Sequence, residues 1–196
     1  MELSRTQLIN TIIKKFKYKS YLEIGSGDGI HFNNIKCKDK TSVDPNKLGD
    51  AMFKLTSDQF FKTNKKKFDI IFIDGLHESE QVYKDIENAL IILTDNGTVV
   101  CHDMLPTSEE MQLIPRIQEE WTGDCWKAFV RIANDFSYDM HTIDTDYGCG
   151  IIRNTQDNPH HLYTTMTKLD YTNFSINKKE WMNIKSKEWF IKNYGN

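Results

Sequence analysis

The 196 residues are 39% hydrophobic and 27% charged, the balance of a soluble domain with enough chain to bury one proper core. A formal net charge of −3 supplies no basic field to draw nucleic acid, and no apolar run reaches membrane-spanning length. Four scattered cysteines without a C-x-x-C pair argue against structural zinc, and the first residues lack a signal peptide's apolar segment, so a reducing cytoplasm is the expected setting.

Leu8, Ile9, Ile12, Ile13 and Phe16 recur at helical spacing, with Ser4 or Thr6 as cap. Tyr21-Leu22-Glu23-Ile24 reads as a strand entering Gly25-Ser26-Gly27-Asp28-Gly29, and a helix begins near His31. Residues 41–44 form a second strand stopped by Pro45, residues 51–55 a short third one, and Ser57 or Asp58 caps the helix that follows. Residues 68–74 are nearly all apolar, as in a central parallel strand covered on both faces. An amphipathic helix spans 78–93, with Val82, Ile86, Ala89, Leu90 and Leu93 on one face, and Asp95-Asn96-Gly97 is a turn. Residues 98–101 are the next strand, ending at His102-Asp103. Helices are predicted over 109–121, despite Pro115, and over 126–133, then antiparallel strands over 140–144 and 148–153. The alternation implies an α/β fold, a doubly wound, mainly parallel sheet with a late antiparallel strand pair. The chain reads as one domain: an N-terminal helix (1–19), a ligand-binding core (20–153) and a polar tail (154–196). One amphipathic helix, carrying Trp181, Met182, Trp189 and Phe190, is expected in the tail. It would pack on the domain or form a homodimer contact.

The glycine turn is the most informative segment. Without Cβ atoms its backbone admits a ligand closely. Its spacing is G-x-G-x-G, and Ile30 stands where a dinucleotide fingerprint needs glycine. Glu23 and Asp28 would repel phosphates, so a cationic, phosphate-free ligand fits better. Asp44, about 20 residues beyond the turn, has the spacing of an acid that binds ribose hydroxyls, though alone it could simply start a turn before Pro45-Asn46. The segment resembles motif I, E-x-G-x-G-x-G, of the class I S-adenosylmethionine (SAM)-dependent methyltransferases, with Glu23, Gly25, Gly27 and Gly29 at its four fixed positions. The resemblance implies SAM as cofactor, held by Glu23, Gly25, Ser26, Gly27 and Asp44. Ser57 and Asp58, otherwise a helix cap, would meet the adenine.

Ligands of doubly wound sheets bind beyond the carboxyl ends of the strands, where Asp74, His77, His102 and Asp103 stand. Two carboxylates and an imidazole from Asp74, His102 and Asp103 suit Mg²⁺ or Mn²⁺. Residues 69–106 look like the metal-dependent O-methyltransferases of the catechol and macrocin types, with Asp74 at the first metal position and His102-Asp103 at the paired one. His77 stands where the catechol type has its general-base lysine. Closer still is the likeness to small bacterial and viral methyltransferases associated with sugar or glycan modification. The resemblance covers about residues 21–153; His102 in place of an acid and the unmatched tail depart from it. It implies O-methylation of a small-molecule or glycan acceptor, with His77, Asp74 and His102 catalytic and neither nucleic acid nor membrane as partner. Each residue also has a plainer reading: Asp74 as a helix cap or a contact to the methionine part of SAM, His77 as a cap, His102-Asp103 as a turn. His160-His161 reads as an exposed pair rather than a metal site, and Trp121, Trp126 and Tyr147 as core or rim. The rivals are a phenolic or other small-molecule acceptor and a non-catalytic SAM-binding subunit.

Overall fold

The computed structural model describes residues 3–155, 159–162 and 168–195. Helix α1 (Arg5–Phe16) starts in a capping box in which Ser4 accepts from the Gln7 amide and Gln7 reaches back to the Ser4 amide. β1 (Ser20–Ile24), the short α2 (Ile30–Asn34), β2 (Asp39–Val43), α3 (Ser57–Thr63), β3 (Phe68–Ile73) and α4 (Ser79–Ile92) follow. After β4 (Leu93–Cys101) come a 3₁₀ turn at Glu110–Gln112, α5 (Cys125–Asp135), β5 (Tyr138–Ile143) and β6 (Cys149–Arg153). The tail supplies β7 (Pro159–His160), α6 (Tyr171–Trp181), β8 (Ile184–Lys185) and α7 (Lys187–Tyr194).

The sheet runs β2-β1-β3-β4-β6-β5-β7, with β8 beside β5. β2, β1, β3 and β4 are mutually parallel, while β6 is antiparallel to β4 and β5. Alternation along the strands divides the core between two faces. Leu22, Ile24, Ile71, Ile73 and Val99 pack with α4 and α5; Tyr21, Ile70, Phe72 and Val100 pack with α1 and α7. Among the described residues no helix is long and apolar enough to cross a membrane.

Five local expectations are corrected. Residues 51–55 do not form a strand; Phe53 makes a single parallel bridge to Val43 at the edge of β2. Thr56, not Ser57 or Asp58, caps α3, accepting from the Gln59 amide. The turn at 95–97 is absorbed into β4: two steps along β3, Phe68 to Ile70, face five along β4, Leu93 to Thr98, and Asn96 takes a left-handed φ of 61°. The helix over 109–121 shrinks to the 3₁₀ turn, because Pro115 lacks an amide hydrogen and disfavours helical backbone at Ile114. The tail holds two helices, not one. Phe174, Trp181 and Met182 belong to one face of the sheet and Phe190 and Tyr194 to the other, so the chain must break between them, and it does so at Asn183 with φ 45°. Trp126 lies in the core, its ring 4.3 Å from Phe174 and 6.3 Å from Trp181, with Nε1 donating to Gln112 Oε1 at 3.1 Å.

Candidate active site

The backbone ladder continues one step past the strand ends and sets the rim. Gly25 N donates to Val43 O (2.8 Å), Asp74 N to Ile24 O (2.9 Å) and His102 N to Ile73 O (3.0 Å). Three strands thereby deliver the glycine turn, Asp74 and His102 side by side. Gly25 has φ 85°, and a Cβ there would lie 2.0 Å from the Asp74 carbonyl oxygen, so glycine is required where the turn crosses β3.

A cavity of about 490 Å³ opens at this rim. Gly25, Gly27, Asp44, Ser57, Asp58 and Asp74 line it. Asp44 Oδ2 accepts from Gly27 N and Oδ1 from Asn46 N, both at 2.8 Å, which fixes the carboxylate against the turn. Glu23 and Ser26 lie outside the lining. Glu23 is 1% exposed and points into the α1 layer, where the Tyr21 hydroxyl and His31 Nδ1 (2.9 Å) hold it, and Ser26 is buried with its hydroxyl unpartnered. The alternation that sends Leu22 and Ile24 to one face sends Tyr21 and Glu23 to the other.

Asp74 joins this cavity to a charged cluster. Its Oδ1 is 3.3 Å from His77 Nε2 and 3.4 Å from His102 Nδ1. Asp103 Oδ2 is 3.3 Å from both His77 Nδ1 and His102 Nδ1. Trp121 stacks on His77 at 5.3 Å and anchors its own loop by donating to the Leu113 carbonyl (2.7 Å). Two members had no part in the sequence reading. Arg5 Nη1 lies 2.9 Å from His102 Nε2 and 3.9 Å from Asp74, and Asp146 Oδ1 lies 3.3 Å from His102 Nε2. Asp146 sits in the β5–β6 turn, which the antiparallel pair must return to this rim; that pairing was the available signal. Arg5 gave none, since only the docking of α1 brings it here. Asp103 (φ 61°), Asp146 (φ 49°) and Tyr147 (φ 55°) all adopt left-handed backbone, a strain that concentrates at functional sites.

Burial pushes Asp74 up, but hydrogen bonds and charge from His102, a bond from His77 and the Arg5 charge hold it well below the carboxylate range. Burial alone would lower His102 and His77. The carboxylates of Asp103, Asp146 and Asp74 raise His102 well above its ordinary value, and Asp74 and Asp103 raise His77. Asp146 is lowered to about 2, chiefly by its bond with His102.

One ligand atom each from Asp74, His102 and Asp103 lies within 4.8 Å of the others. Two carboxylate oxygens and an imidazole nitrogen fit a divalent cation, Mn²⁺ better than Mg²⁺ because of the nitrogen donor. The adjacent histidines are not an exposed pair: both are half-buried, His160 Nε2 lying 3.2 Å from the Trp181 carbonyl and His161 Nδ1 3.1 Å from that of Phe136. Tyr147 is exposed at the rim.

Sequence reasoning also passed over Asp85. It lines the cavity, yet it occupies the buried stripe of α4 with Val82, Ile86 and Ala89, an acid at an otherwise apolar position. Burial pushes its carboxyl up to about 6.

Residues 44–104 match a family model described as a methyltransferase domain. No curated protein matches the chain. Among solved structures, SAH-bound methyltransferase PaMTH1 of Podospora anserina is 17% identical, with 76% of this chain and 77% of that one covered and a TM-score of 0.60. The O-methyltransferase TomG of Streptomyces achromogenes, in complex with SAM, is 10% identical, with 76% and 78% covered and a TM-score of 0.57. An O-methyltransferase of Bacillus cereus in complex with SAH is 14% identical, with 78% and 81% covered and a TM-score of 0.53. The fold is that of the class I SAM-dependent methyltransferases.

Proposed function

We propose that this chain, built on the class I methyltransferase fold, binds SAM in the cavity beside the glycine turn and transfers its methyl group to a hydroxyl of a sugar, nucleotide-linked sugar or glycan. The observation that carries the reading is the place of Asp74, which lines the cavity and also belongs to the carboxylate–imidazole cluster. A donor in the cavity and a proton acceptor at the cluster are then neighbours.

The acceptor oxygen attacks the sulfonium methyl in line; the C–O bond forms as the C–S bond breaks and S-adenosylhomocysteine (SAH) leaves. A sugar hydroxyl is a poor nucleophile at neutral pH and must lose its proton as it attacks. His77 takes that proton. Asp74 and Asp103 flank its two ring nitrogens, and Trp121 covers one ring face, so its orientation is set before substrate arrives. Asp44 and the turn hold the ribose, and Ser57 and Asp58 the base. Asp74, His102 and Asp103 are the residues that would hold a divalent cation, which when bound supplies a Lewis acid for the developing alkoxide. The rival acceptor, a phenol, is favoured by one feature: the loop tied to Trp121 exposes Leu113, Ile114 and Ile117.

Calorimetry of SAM binding, with EDTA and then with Mg²⁺ or Mn²⁺, on wild type and Asp74→Ala, tests the reading. Micromolar SAM binding with a divalent-ion heat that Asp74→Ala loses is the expected result. SAM binding without a metal heat leaves His77 acting alone. Absence of SAM binding overturns the reading.

A further inference from the structure

Where α3 and α4 meet at the cavity, one amide is surrounded by acceptors. Gln81 Nε2 lies 3.0 Å from Asp85 Oδ1, 3.1 Å from Asp58 Oδ1 and 3.2 Å from Ser57 Oγ. Rotating the amide by half a turn would set its oxygen against two carboxylates, with only the Ser57 hydroxyl able to donate to it. The nitrogen end is therefore fixed. With Nε2 committed, the polar atom that Gln81 has left to offer is Oε1, which can only accept. Gln81, Ser57, Asp58 and Asp85 all line the cavity. Asp85 is 1% exposed, and its second oxygen has no partner. A buried acid on an apolar helix face costs stability, and here its visible task is to anchor this amide. Gly75 lines the same corner, where a Cβ would lie 3.9 Å from Asp85 Oδ2.

We infer that Gln81 reads the base of the cofactor, its Oε1 accepting from the exocyclic amine of adenine, and that Asp85 is a positioning residue which, with Oδ1 of the base-binding Asp58, holds the amide in that sense. The inference rests on the SAM reading of the cavity and adds a ligand preference: a 6-amino purine nucleoside over its 6-oxo counterpart. A 6-oxo group would bring oxygen against oxygen at Oε1, and the amide cannot turn to meet it.

The experiment titrates SAH and S-inosylhomocysteine, which differ at C6 and in the N1 proton that the 6-oxo form carries, into wild type, Gln81→Met and Asp85→Asn, with thermal melts of all three; the Gln81→Met difference separates the C6 contact from any contact at N1. Wild type is expected to favour SAH by roughly tenfold, the size of one hydrogen bond in a partly open site. Gln81→Met should bring the two ligands within about threefold, by weakening SAH and by relieving the oxygen–oxygen contact that the inosine analogue makes in wild type. Asp85→Asn offers a new donor to Oε1 and frees the amide, so its preference should fall between the two while its melting temperature does not drop. Equal preference in all three proteins, or parallel loss of both ligands in Gln81→Met, overturns the inference. Wild type that binds SAH without discrimination overturns this inference alone; wild type that binds neither ligand overturns the cavity's assignment as well.

Discussion

The two halves of the rim satisfy their polar groups in different ways. On the side proposed to hold the nucleoside each acid has a neutral donor: Asp44 takes the amides of Gly27 and Asn46, and Asp58 and Asp85 share the Gln81 amide. At the cluster, carboxylates Asp74, Asp103 and Asp146 face one fixed cation, Arg5, and contacts of 3.3 to 3.9 Å hold them together. With both imidazoles neutral the cluster carries three negative charges against one positive. Two imidazole protons, or one divalent cation, cancel the remainder. On the proposed reading the first half is a preformed mould for the neutral base and ribose of the cofactor, and the second, which carries excess negative charge until protons or a cation balance it, is the reacting centre.

The largest effect should come from the residue shared by both halves. Asp74→Ala removes one carboxylate partner from His77 and His102 together and is expected to lower methyl transfer about 10³-fold, followed as SAH formed. Retention of more than a tenth of wild-type turnover would detach the cluster from the chemistry. His77→Asn keeps a polar side chain but no base, and turnover should fall roughly 10²-fold with little change in SAM affinity. A matching loss of SAM affinity would instead make His77 part of the cofactor mould.

On the nucleoside side the expected change is in stability. A carboxyl whose folded-state pKa is raised binds its proton more tightly folded than unfolded. Asp85, raised to about 6, therefore costs nothing below the unfolded value near 3.9 and costs most above about 6. Asp85→Asn should be more stable than wild type by roughly 2 kcal/mol at pH 7, and the advantage should vanish near pH 4. A pH-independent difference in denaturant midpoints would sink this account.

These two halves were unequally legible. The parallel core could be read because its strands are buried on both faces and show as apolar runs, as at Phe68–Ile73, and because the glycine spacing is local. The acid within the Val82, Ile86, Ala89 stripe was visible too, but an acid at an apolar position has no meaning until Gln81 and Ser57 are seen beside it. Arg5 and Asp146 lie 69 and 72 positions from Asp74 in sequence, and only tertiary docking brings them to it. The tail misled for a physical reason: its aromatic residues look like one stripe, yet Trp181 and Phe190 serve opposite faces of the sheet.

The smallest expected effect is the sharpest test of the charge balance at the cluster. Arg5 reaches it from the first turn of α1, a third exposed, with its backbone amide bonded to Asp146 at 2.9 Å. Its guanidinium stands 3.9 Å from Asp74 and 3.7 Å from Asp146, so an incoming cation meets a like charge as well as three carboxylates. Arg5→Met preserves the apolar stem and removes only that charge. If Arg5 and the metal compete for the same carboxylates, Mn²⁺ should bind this variant about tenfold more tightly than wild type, the scale of one partly screened like-charge contact. The gain should shrink as salt is raised, since an exposed charge is the one being removed. Unchanged affinity would mean that Arg5 already steps aside for the ion. Weaker binding would mean that Arg5 holds Asp74 and Asp146 in the geometry the ion needs, and the cluster would then be prearranged like the nucleoside side.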